Sequence, residues 1–161
     1  MAIKKLSLDD FFDDEGFTLI GIHTSLEDYR LAYLLNLKLR IHLKRKKNDL
    51  DFSNNAWYSI YEWNDEKQLN TWNLVSNICK LETVNTEITN SLFADSGKLT
   101  ETFYLLPELK KVNFLLKISD EQLTTNEIQK IINGIQEVAQ IVTAYSIDID
   151  TLKFKNNLIF N

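Results

Sequence analysis

Apolar positions along this chain recur first at one spacing and then at another, and the changes of period mark out the elements. Phe17 to Ile22 is a short run of β-forming residues. Ser25-Leu26-Glu27-Asp28 then has the pattern of a helix start. The Ser25 hydroxyl can accept from the Asp28 N–H, and two carboxylates sit in the first turn, where the helix dipole favours them. Leu26, Tyr29, Tyr33 and Leu37 recur at helical spacing and predict the buried face, with Ala32 and Leu35 beside it. From Lys38 to Lys46 the period drops to two. Lys38, Arg40, His42, Lys44 and Lys46 alternate with Leu39, Ile41, Leu43 and Arg45, which predicts a strand with one basic face and one mostly apolar face. Trp57 to Trp63 reads as an aromatic strand, Asn64-Asp65-Glu66 as a turn, and Thr71 to Val75 as the returning strand of a hairpin.

Residues 80–99 lose this patterning and are rich in Asn, Thr and Ser, which predicts a flexible loop. Thr102 to Leu106 and Val112 to Ile118 read as strands on either side of a turn marked by Pro107, the only proline. Thr124 and Glu127 have capping-box spacing, and Ile128, Ile131, Ile132, Ile135 and Val138 form the apolar stripe of a second helix. Ile141 to Ile149 returns to β composition, and the apolar stretch from Leu152 to Asn161 reads as tied down. Runs of strands between two helices predict an α+β fold. The expected sheet is antiparallel or mixed, with about five to seven strands, in a single domain over 1–161. Residues 1–16 form an acidic lead-in: Asp9, Asp10, Asp13, Asp14 and Glu15 surround Phe11 and Phe12.

A chain of 161 residues with 44% hydrophobic residues can bury a core without metals or disulfides. One cysteine, Cys79, leaves no internal disulfide and suits a reducing compartment. No run of 18 or more apolar residues occurs, and the first ten residues turn acidic before any hydrophobic stretch, so the expectation is a cytoplasmic protein with no membrane span. A net charge of -5 argues against general nucleic-acid binding. The glycines are isolated, which excludes a phosphate loop or a dinucleotide fingerprint. His23, His42 and Cys79 fall on separate elements, so neither a metal nor a cofactor is expected. Asp148 and Asp150 share one face of a strand in this reading, and strand-edge solubility accounts for them.

The segment around Pro107 reads Leu106-Pro107-Glu108, three residues, then Val112-Asn113-Phe114. It resembles the signature Ile-Pro-Glu, three residues, Val-Asp-Tyr, of a family of uncharacterised bacterial proteins of Bacteroidetes type. The run from Asp28 to Ala32 and the C-terminal stretch resemble the same family. The resemblance implies no activity. Where that family has Asp and Tyr this chain has Asn113 and Phe114, so a carboxylate and a hydroxyl are gone while shape is kept. That pattern points to packing and backbone geometry at these two positions, not proton transfer.

The densest candidate for binding is the basic run. Six of the eighteen Lys and Arg residues lie between Lys38 and Lys47. A local positive face beside an aromatic hairpin fits a non-catalytic module that binds a protein partner or a second copy of itself. RNA held by cations and stacked rings is the alternative. Lysine protection of an edge strand, with the aromatics in the core, is the plainer account of the same residues. The acidic lead-in lying over the patch is a third reading. An enzyme with an unrecognised site would need a deep pocket lined by carboxylates or His23.

Overall fold

The computed structural model describes residues 16–52, 55–84 and 98–160, so the acidic run at 9–15 and residues 85–97 of the expected loop lie outside the described residues. The strands are β1 (Thr18–Thr24), β2 (Lys44–Arg45), β3 (Leu50–Asp51), β4 (Trp57–Tyr58), β5 (Ile60–Asp65), β6 (Asn70–Ser76), β7 (Ile78–Val84), β8 (Lys98–Tyr104), β9 (Phe114–Ser119) and β10 (Ile141–Ile147). The helices are α1 (Asp28–Leu39) and α2 (Thr125–Gln136). Six strands make one sheet in the order β10-β1-β9-β6-β5-β2, and β3-β4 and β7-β8 form two-stranded ribbons. Every pairing is antiparallel. The fold is α+β in one domain, and among the described residues no helix is long and apolar enough to cross a membrane.

Both faces of the sheet are covered, which follows from the alternation within its central strands. Ile20 and Ile22 of β1, Leu74 of β6, and Leu116 and Ile118 of β9 face the helices, where they meet Leu31, Leu35, Ile132 and Ile135. Leu19, Ile60, Val75 and Leu115 face the other way, against Leu105, Leu106, Val112, Tyr58 and Leu158. β1 and β9 are thus apolar on both sides, as central strands of a three-layer structure must be. Gly21 lets the second layer approach: a Cβ there would stand 2.9 Å from Ile147 Cδ1 and 3.4 Å from the Val112 methyls.

Four sequence expectations are corrected. The helix face is the first. Tyr29, Tyr33 and Leu37 are 62%, 61% and 62% exposed, and the buried residues are Leu31, Ala32 and Leu35. Two apolar stripes compete on α1, and the aliphatic one goes inward because tyrosine can keep its hydroxyl in water. Ser25 does not cap this helix. Its N-cap is Glu27 with no side-chain bond, and the Thr24 hydroxyl accepts from Leu26 N at 3.1 Å.

The basic strand is the second correction. α1 continues to Leu39, Arg40 takes a left-handed conformation (φ 55°), and only Lys44–Arg45 forms a strand. Ile41 and Leu43 still point inward, but the Leu43 backbone is held by a side chain. Its N–H donates to Asn36 Oδ1 at 2.8 Å and its carbonyl accepts from Asn36 Nδ2 at 3.0 Å. The third correction concerns Trp57 to Trp63, which breaks at Ser59 into β4 and β5, pairing with β3 and β6. Residues 80–84 and 98–99 of the expected loop belong to the β7–β8 hairpin. Fourth, Asp148 and Asp150 follow β10 instead of lying in it, and Asp148 Oδ1 accepts from Asp150 N at 3.1 Å to cap a short 3₁₀ turn. The Thr124–Glu127 capping box forms as expected.

Burial pushes the Tyr58 phenol up to about 12, with a further upward contribution from Cys79. Its folded value exceeds the unfolded one near 10, so its contribution to stability is complete below about pH 10 and is lost as pH rises towards 12. Spectrophotometric titration is expected to show Tyr58 ionising near pH 12, well above an ordinary phenol. Tyr58→Phe is expected to flatten the fall in melting temperature across this window.

Candidate functional site

The segment from Leu105 to Phe114 is held by one buried residue that the sequence did not single out. Asn77 has no exposed surface. Its Nδ2 donates to Leu109 O at 2.8 Å and Val112 O at 2.9 Å, and its Oδ1 accepts from Leu106 N at 2.8 Å. Its backbone N–H donates to Asn113 O and its carbonyl accepts from Leu105 N, both at 2.9 Å. Pro107 opens a 3₁₀ turn, Pro107–Leu109, with its fixed φ, and Leu106 and Val112 are buried on either side. Asn113 Oδ1 accepts from Thr24 N at 3.0 Å, and Asn113 N donates to Ile22 O at 3.1 Å. Phe114 is buried in the helix-facing core. The Glu108 carboxylate accepts from Lys153 N at 3.0 Å and Phe154 N at 3.2 Å, which ties the C-terminal stretch to the turn. Each of these groups is occupied in holding backbone.

The basic residues divide into two groups. Lys44 is exposed on β2, and Lys46 pairs with Glu62 at 3.3 Å, where Asn73 Nδ2 also donates to Glu62 at 3.2 Å. Lys38, Arg40 and His42 instead line an open cleft of about 880 Å³ at the end of the sheet where β1 begins. The cleft lies between the last turn of α1, the β5–β6 turn and α2, and Trp63 and Trp72 form its aromatic wall. The His42 ring meets Trp63 edge-on at 5.7 Å, and the two indoles lie 6.0 Å apart. Trp72 Nε1 donates to Asn70 Oδ1 at 3.2 Å, and Asn70 Nδ2 donates to Asp120 at 3.0 Å, which locks the wall from behind.

Lys67 and Lys130 join this cleft from the β5–β6 turn and α2. They lie far from the basic run in sequence, and only the fold brings them to it. Lys38 forms an ion pair with Glu137, whereas Arg40, Lys67 and Lys130 have no ion pair among the described residues. Three carboxylates share the lining. Asp65 accepts from Lys67 N at 3.0 Å, Glu127 accepts from Thr124 N at 2.8 Å, and Glu66 has no hydrogen bond among the described residues. Next to Glu66–Gln68 in the same turn, Leu69 is 89% exposed with φ 54°.

The other sequence candidates lie elsewhere. His23 Nε2 is 2.9 Å from the Tyr145 hydroxyl, towards the opposite end of β1 from the cleft. Cys79 is buried, and its Sγ accepts from Trp57 N at 3.4 Å. Among the described residues no three His, Cys, Asp or Glu side chains gather where they could hold a metal. Tyr58, Tyr61 and Trp72 are buried in the cores, Trp63 is half-buried, and Trp57 is exposed. The cleft can therefore supply cations and an apolar wall, but not a row of open stacking faces.

Asn77→Ala orphans the Leu106 N–H and the Val112 carbonyl in a dry layer. At about 1–3 kcal/mol for each buried unsatisfied group, the expected loss is roughly 3 kcal/mol or more, read from the denaturant midpoint. Glu108→Ala is expected to cost about 1 kcal/mol and to speed hydrogen exchange at Lys153 and Phe154 while leaving the sheet protected. No protein-family model, curated protein or solved structure matches this chain, so what the cleft does is read from its own geometry.

Proposed function

We propose that this protein is a non-catalytic cytoplasmic interaction module whose cleft receives a segment of a partner protein. The observation that carries the reading is the convergence of Arg40, Lys67 and Lys130 around the Trp63 wall, none of them paired among the described residues. Cations spread along 90 residues of sequence and gathered with the Asp65, Glu66 and Glu127 carboxylates at one aromatic-walled cleft suit a segment of mixed charge with an aromatic anchor. Leu69 supports the same reading. A bulky residue in the left-handed region costs about 1–3 kcal/mol, and glycine would relieve it. A leucine kept there, in solvent, suits a residue that meets a partner.

RNA is the weaker reading. The same cations would meet phosphates, but the ring faces that stacking needs are largely in the core.

The test is a comparative capture from the native cytoplasm, with and without ribonuclease. Arg40→Glu with Lys67→Glu is expected to lose a stoichiometric protein partner that the unmodified chain retains after ribonuclease, with the melting temperature unchanged within about 2 °C. Leu69→Gly is expected to raise stability by about 1 kcal/mol and to weaken the same complex. Capture that is indifferent to both variants overturns the reading, and material lost on ribonuclease treatment replaces it with RNA.

A further inference from the structure

The solvent face of α1 is apolar where a surface helix is ordinarily charged. Tyr29, Tyr33 and Leu37 stand at i, i+4 and i+8, so they form one row about 12 Å long. They are 62%, 61% and 62% exposed. Leu31, Ala32 and Leu35 fill the core on the other side of the same helix. A helix that is apolar on two faces suits cover on two faces. Single exposed apolar residues are ordinary, but three in one row make a patch of roughly 350 Å² of ring and aliphatic surface. No carboxylate interrupts it, because the charged residues from Tyr29 to Arg40 are Arg30, Lys38 and Arg40. Asp28, at the helix start, accepts a hydrogen bond from the Tyr61 hydroxyl.

We propose that this row is a dimer interface, in which α1 packs antiparallel on α1 of a second copy with the two-fold axis at Tyr33. The row is symmetric about that residue. Turning one copy over places Tyr33 against Tyr33 and each Tyr29 against Leu37 of the other copy, so the surface is complementary to itself. Charge favours the same arrangement. Antiparallel packing brings Glu27, exposed at the start of α1, within reach of Arg40 at the end of the other α1. It also opposes two helix dipoles that a parallel pair would align. Arg30 has no ion pair among the described residues and flanks the row beside Tyr33, where its guanidinium can lie on a ring of the second copy. The apolar centre hides roughly 700 Å² over two copies, and with its rim the contact comes to about 1,000 Å². That is the low end for a specific interface, so the dimer forms and dissociates reversibly. Tyr29, Tyr33 and Leu37 lie outside the cleft lining, and the dimer does not depend on the cleft taking a partner segment.

The test is sedimentation velocity of the full chain from roughly 1 µM to 1 mM, where a monomer–dimer equilibrium is expected. Tyr33→Arg puts two like charges on the axis and is expected to weaken association at least about tenfold. At the lowest concentration its melting temperature is expected to match that of the unmodified chain, because the side chain it replaces is exposed. A second measurement reads the register. A chain carrying Tyr29→Cys is mixed with one carrying Leu37→Cys and oxidised, and the disulfide between the two variants is expected in excess over either variant joined to itself. Cys79 is buried and stays out of the exchange. A chain that stays monomeric at the highest concentration overturns the proposal. So does a Tyr33→Arg chain that associates as strongly as the unmodified one, or a disulfide that forms as readily within each variant as between them. Tyr33→Arg leaves the cleft lining intact, so capture of a partner from the native cytoplasm is expected to survive it, which separates a failed dimer from a failed cleft.

Discussion

The side chain of Asn77 ties together the parts of this fold that no strand ladder reaches. The turn from Leu105 to Phe114 must cross from the β7–β8 ribbon into the middle of the main sheet. Its tip lies at the surface, but Leu105, Leu106 and Val112 on either side are buried, and their backbone groups need partners inside the protein. Asn77 has the right inventory for the task, since a single amide supplies two N–H donors and one carbonyl acceptor. It spends them on Leu109 O, Val112 O and Leu106 N. Aspartate could serve only the N–H, and leucine could serve nothing. With the turn fixed, Asn113 reaches β1 and Glu108 reaches the C-terminal stretch, so three segments depend on one buried amide.

That constraint accounts for the second covered face of the sheet. Most antiparallel sheets leave one side to water. Here the turn, the two ribbons and the C-terminal stretch form a third layer, into which Lys117 projects from β9. The lysine survives there because its Nζ donates to Leu158 O at 2.8 Å and lies 4.8 Å and 5.0 Å from the Phe17 and Phe160 ring centroids. The helices cover the other face incompletely. α1 ends at Leu39, and the cleft opens at that end of the sheet between the end of α1, the β5–β6 turn and α2.

How far the sequence could be read depended on whether the relevant interaction was local. The capping box, the Ile128–Ile135 stripe and the β5–β6 hairpin are set by neighbours a few residues away, and all three formed, although the first strand of the hairpin runs from Ile60 to Asp65 instead of from Trp57 to Trp63. The α1 face failed because two apolar stripes coexist and only the tertiary environment chooses between them. The basic strand failed because alternation of side chains fits any extended chain, and it was Asn36, not a neighbouring strand, that took up the Leu43 backbone. Three of the five residues of the candidate face, Lys38, Arg40 and His42, reached the cleft, whereas Lys44 and Lys46 did not. Lys67 and Lys130 could not be joined to it from sequence, because their proximity exists only after β5–β6 and α2 have packed. Asn77 was hidden for the same reason: one asparagine among many, distinguished only by what surrounds it.

Backbone strain gives a separate line of argument about where function lies. Four non-glycine residues among those described have positive φ: Arg40, Asn55, Leu69 and Gln140. Asparagine tolerates this region well. Gln140 is tied in place by its carbonyl, which accepts from the Thr24 hydroxyl at 2.7 Å. Arg40 ends α1, where a left-handed residue is a common terminator. Leu69 has none of these excuses. Its turn is already held by Asp65, glycine would fit better, and its side chain buries nothing. Leu69 is the last residue of the β5–β6 loop that lines the cleft, where a left-handed residue returns the chain to β6 and leaves its side chain in solvent.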